Sequence, residues 1–79
     1  MDRKIKLIWD FRGVDGLETA KHHKIHLEEF AVREQLAQTI SGVEELSKDA
    51  HSIAYIVVAE SEMLKVRDAL MPHRGELFA

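Results

Sequence analysis

Cysteine is absent from the 79 residues, which removes disulfides, thiolate metal sites and a cysteine nucleophile together. Proline occurs once, as Pro72, and marks the one hard stop for a helix. The longest apolar stretch, Ile53 to Ala59, is far shorter than the ~20 residues that a bilayer-spanning helix needs. The N-terminus lacks the apolar core of a signal peptide, and the expected location is cytoplasmic. Positive charge is also short. Eleven Lys and Arg face fourteen acids, for a formal net charge of −3, which argues against nucleic-acid binding. Arg3-Lys4 with Lys6 is only a local basic run among apolar residues. Ser41 has no visible base partner, so a serine nucleophile is not indicated.

What is present describes an ordinary globular chain, with 46% hydrophobic and 32% charged residues. Residues 1–79 form one domain, near the lower size that supports its own core. A small core without covalent staples often gains stability by oligomerising, so a homodimer is expected. Ile5, Leu7, Trp9 and Phe11 alternate with Lys4, Lys6, Ile8 and Asp10, the period of a half-buried strand. Asp15 followed by Glu18 reads as a capping-box start for a long helix from about Leu17 to about Ala37. Gly42 breaks the chain, and Val43 to Lys48 reads as a short strand with Val43 and Leu46 inward. Ser52 to Glu60 is the clearest strand, apolar on both faces and therefore central. Ser61 would cap a second helix from Glu62 to about Met71, stopped by Pro72. Gly75 to Ala79 reads as a short edge strand or a packed tail.

The order β-α-β-β-α, with a possible final β, predicts an α+β fold of ferredoxin-like split β-α-β type. Two helices would cover one face of an antiparallel sheet. The face carrying Ala54, Ile56 and Val58 would stay open and pair with a second subunit.

Five histidines stand out, three of them in His22-His23-Lys24-Ile25-His26. Imidazole changes charge near neutral pH and is the commonest metal ligand. Helical spacing puts Lys21, Lys24 and Glu28 on a solvent face and turns His22, His26 and Arg33 away from it, towards the sheet or its margin. His22 with His26, or His23 with His26, has the spacing to share a cation. No His-Glu-x-x-His signature accompanies them, and no cofactor is indicated. The alternative is acid–base chemistry or anion binding, with His26 moving a proton and Arg33 offering a donor fork to a carboxylate. Asp10, near the end of the first strand, could orient an imidazole. His51 reads as a turn residue, Pro72-His73-Arg74 as a helix stop, and Trp9 as core or dimer interface.

The opening strand Ile5 to Phe11, Gly42-Val43, His51 with Ala54 to Val58, and Pro72-His73 give a layout that resembles the dimeric α+β-barrel superfamily. Its members pair two ferredoxin-like units sheet to sheet. The first helix, with His26-Leu27, resembles the YCII-related branch, where a helix histidine is a proposed catalytic residue. That resemblance implies a catalytic role for His26. The glycine-rich stretch of that branch is reduced here to Gly42. Cofactor-free oxygenases, isomerases and decarboxylases all occur in the superfamily, so the fold does not choose a reaction.

The leading expectation is a small homodimer that binds, with conversion an open option, an anionic organic ligand between the first helix and the sheet. His26 is its acid–base group, Arg33 its clamp, and His22, His23 and Asp10 its auxiliaries. A metal-binding module built on His22, His23 and His26 is one alternative, and a non-catalytic interaction domain is the other. Neither nucleic acid nor membrane is an expected partner.

Overall fold

The computed structural model describes residues 3–78. The elements are β1 (Lys4–Arg12), α1 (Gly16–Arg33), β2 (Ile40–Ser47), β3 (His51–Ala59), α2 (Glu60–Leu70) and β4 (Arg74–Phe78). The four strands form one sheet in the order β2-β3-β1-β4, with every neighbouring pair antiparallel. This order fits the expected α+β class and a ferredoxin-like split β-α-β arrangement. The edge strand expected at the C-terminus is β4, paired with β1, while Ala79 lies outside the described residues. No described helix is long and apolar enough to cross a membrane.

The alternation in β1 sorts the two faces. Leu7 and Trp9 pack with Ala20, Leu27, Phe30 and Ala31 of α1, Ala54, Ile56 and Val58 of β3, and Val66 of α2. Both helices therefore cover the odd-numbered face of β1. Register carries Ile8 opposite Tyr55, Lys6 opposite Val57 and Asp10 opposite Ile53 on the other face. The expected open face is thus corrected: Ala54, Ile56 and Val58 lie under the helices, and Ile53, Tyr55 and Val57 point the other way. Both sets are apolar. The deciding pair is Trp9 with Ala54, where the small residue makes room beside the large ring.

The element ends differ from expectation for local reasons. The first helix stops at Arg33, four residues before Ala37, because Gln35 adopts a left-handed conformation (φ 54°). Leu36 N–H then donates to the Ala31 carbonyl at 3.0 Å, and Gln35 N–H to Val32 at 3.1 Å, closing a Schellman turn without glycine. Asp15 is the N-cap, but its side chain makes no capping bond. Thr19 Oγ1 donates to the Asp15 carbonyl instead, at 2.9 Å. The second helix is capped at Ala59, not Ser61, and ends in Met71 at φ 50°. Leu64 and Met71 are exposed, whereas Val66 is buried and Met63 and Leu70 pack on the core. β2 starts at Ile40, and Leu46 falls in the irregularity between Glu45 and Ser47, which leaves it exposed.

On the open face, Tyr55 lies across Gly42. A Cβ at Gly42 would stand within 2.4–2.9 Å of the phenol ring. The Lys6 ammonium sits 4.4 Å from the same ring's centroid. The glycine therefore acts as a seat for an aromatic ring that shields the strand backbone.

Candidate functional site

Three strands place charged groups at one end of the open face. Asp10 follows Ile8 by two residues on β1, so its side chain projects on the same face. His51 begins β3 opposite Arg12, and Arg74 begins β4 opposite Ile8. Asp10 sits between them. Its Oδ1 accepts from His51 Nε2 at 2.7 Å and from Arg74 Nη2 at 3.1 Å, while Oδ2 accepts from Arg74 Nε at 3.1 Å. Asp10 and His51 each keep only 18% of their side-chain surface exposed.

The Arg74 fork, aided by the bond from His51 and opposed by burial, holds the Asp10 carboxyl down at about 2. The same contact raises Arg74 above its ordinary value. An ionised Asp10 can only accept, so His51 must carry its proton on Nε2. In the neutral ring Nδ1 then keeps a free lone pair, and it has no protein hydrogen-bond partner among the described residues. This arrangement of carboxylate, imidazole and outward nitrogen is able to take up and return a proton.

His73 completes the neighbourhood by a different bond. Its backbone N–H donates to the Ile8 carbonyl at 2.9 Å, and its Nδ1 accepts the Asp10 backbone N–H at 2.8 Å. A side chain thereby extends the β1–β4 ladder past the start of β4. Trp9 ties the same region to α2, with Nε1 donating to the Leu70 carbonyl at 2.9 Å.

The helix histidines do not gather. His22 is exposed, and His26 is exposed with Nδ1 3.4 Å from Glu29 Oε1. Arg33 is exposed as well, its Nε 3.6 Å from Glu34 and its guanidinium 5.3 Å from the Phe30 ring centroid. The expected inward turn of His22, His26 and Arg33 is not observed. The buried stripe of α1 runs through Ala20, Leu27, Phe30 and Ala31, and these side chains fill the space against the sheet. Among the described residues, no three His, Asp or Glu side chains converge as metal ligands.

His23 alone of the three turns inward. Its ring lies 4.8 Å from the Trp9 ring and 5.5 Å from Phe11. Nε2 is buried without a partner. Burial, then the charges of His26 and His73, pushes this imidazole below its ordinary value. A histidine so lowered binds its proton more readily in the unfolded chain, so its penalty is absent above pH ~6.5 and grows as pH falls below that. His23→Phe keeps the ring packing and removes the orphaned nitrogen. It should raise stability more at pH ~5 than at pH ~7 and so flatten the melting temperature between them. Melting curves that stay parallel to the wild type across that range would discount the account.

Asp10 is thus the sequence-derived candidate that orients an imidazole, and the imidazole is that of His51. The sequence alone marks His51 as a turn residue and His73 and Arg74 as part of a helix stop, whereas the fold gathers all three around Asp10. The available signal was their position at strand starts, beside an acidic residue at the outer end of β1. No protein-family model, no curated protein and no solved structure matches this chain. The fold and the site therefore define a class only: an α+β domain with a histidine–carboxylate–guanidinium cluster on the sheet face that carries no helix.

Proposed function

We propose that the chain is a homodimer paired through its open sheet face, of the dimeric α+β-barrel kind, and that it binds a small organic anion there. His51 is the proton-exchanging group. The observation that carries this reading is the 2.7 Å bond from His51 to an Asp10 carboxylate clamped by Arg74. Asp10 accepts the Nε2 proton and so fixes the ring tautomer, which leaves Nδ1 as the nitrogen that meets a ligand. Arg74 keeps Asp10 ionised.

Charge and apolar surface support the choice of face. Register puts Lys4, Lys6, Arg12 and Arg74 on it against Asp10, Glu44 and Glu76, so it is net positive while the whole chain is at −3. Ile40 at 51% exposure and Phe78 at 39% stand exposed on the two outer strands, while Ile8, Ile53 and Val57 between them are already buried within the single chain. A second copy would remove this apolar rim from water. Proton exchange here moves the acid–base role from His26 to His51.

The experiment is an NMR titration of the imidazole nitrogens with pyruvate, a small oxo acid, paired with sedimentation of the wild type and Ile40→Lys. The reading expects saturable movement of the His51 nitrogens, lost in Asp10→Asn, and a dimer that Ile40→Lys splits without unfolding. Static His51 resonances up to ~10 mM pyruvate, where even a binding energy of only ~3 kcal/mol would be visible, would remove the ligand. A wild-type monomer at the same concentration would remove the assembly.

A further inference from the structure

A cavity of about 420 Å³ opens on the helix side of the sheet, between α2 and β4. Its volume falls within the ~300–1,000 Å³ range of small-molecule sites. It exists because α2 packs across β1 and β3 and leaves β4 without a helix above it. Ile5 and Leu7 form the floor, Met63 one wall and Leu77 the other. Gly75 leaves the far wall low, since a Cβ there would stand 3.2 Å from Leu7 Cδ2. Leu77 is 59% exposed although it points to the same side as the core.

The charges around this cavity are unequal. Arg74 also borders it, but its guanidinium is committed to Asp10 on the opposite face. Glu76 pairs in register with Lys6, which directs its side chain to that opposite face too. Arg67, one turn after Met63 on α2, is left as the strong cation of the lining. Among the described residues its guanidinium meets the adjacent Asp68 alone, at 3.3 Å in an exposed pair that holds it weakly.

We infer that this cavity binds an amphipathic monocarboxylate, its apolar body along Ile5, Leu7, Met63 and Leu77 and its carboxylate on the Arg67 fork. The planar guanidinium suits a planar carboxylate. Arg67 already shares its charge with Asp68, so the site has no excess positive charge to hold a phosphate dianion, and one planar carboxylate is the better match for the fork. The site lies across the sheet from His51 and does not depend on the reading of that cluster.

The test is a backbone-amide NMR titration with octanoate, using octylamine as the opposite head group, on the wild type and on Arg67→Gln and Leu77→Glu. Octanoate should give saturable shifts at Ile5, Leu7, Met63 and Leu77, and octylamine should not. Arg67→Gln should weaken binding about tenfold, the effect of losing one charge-assisted fork, and Leu77→Glu should abolish it. Both positions are exposed, so unchanged far-ultraviolet circular dichroism shows that the variants fold. Absence of saturable shifts at these residues overturns the inference. So does equal affinity for the amine, undiminished affinity in Arg67→Gln, or a response confined to His51 and the opposite face.

Discussion

Asp10→Asn should cost on the order of 2 kcal/mol of folding stability at pH 7, and the loss should vanish as the pH approaches 2. The carboxyl sits at about 2 in the folded chain against 3.8 for the free group. A depressed carboxyl stabilises the fold fully above its unfolded value. That stabilisation drains away as pH falls through the interval down to the folded value. Urea unfolding followed by Trp9 fluorescence at pH 7, 4 and 2 reads the effect directly. Wild type and variant curves should converge at the acid end. A constant difference between them, or none at pH 7, would mean that the Arg74 and His51 bonds do not set the energy of Asp10. The same substitution frees the His51 tautomer, which joins the stability measurement to the proposed proton exchange.

Trp9→Ala is the second large effect, expected at about 3–5 kcal/mol. A domain this small has a total stability of the order of 5 kcal/mol, so the variant should be largely unfolded at 37 °C. The ring is buried, rests on His23, faces Ala54 across the sheet and holds the last carbonyl of α2. Trp9→Phe separates these roles. It keeps most of the packing and leaves the Leu70 carbonyl unpaired, at a cost of about 1–2 kcal/mol. Circular dichroism is the appropriate probe, because both variants remove the chain's one tryptophan. A Trp9→Phe variant as damaged as Trp9→Ala would assign the energy to the hydrogen bond instead of to burial.

The strands were legible because period two is a strong local signal, and the chain order followed from them. The orientation of β3 was not legible, since Ile53-Tyr55-Val57 and Ala54-Ile56-Val58 are equally apolar and only the fit of Trp9 to Ala54 separates them. The rotation of α1 failed for a related reason. Lysines placed the polar face, yet adjacent histidines differ by about 100° around the axis, and His23 took the inward place. Leu27 and Phe30 at spacing three, with Ala20 and Ala31, are the residues that set the true stripe. The cluster itself joins residues 41 and 64 positions apart in the chain. Only the β3-β1-β4 register creates that proximity, and no local pattern encodes it.

The two outer strands carry one more consequence. β2 is interrupted between Glu45 and Ser47 and bears Glu44 and Glu45 in succession, while β4 has five residues with Arg74 and Glu76 among them. A kinked acidic rim and a stubby charged one are poor templates for an incoming chain. Lengthwise growth of the ladder by an added strand is thereby discouraged at both margins.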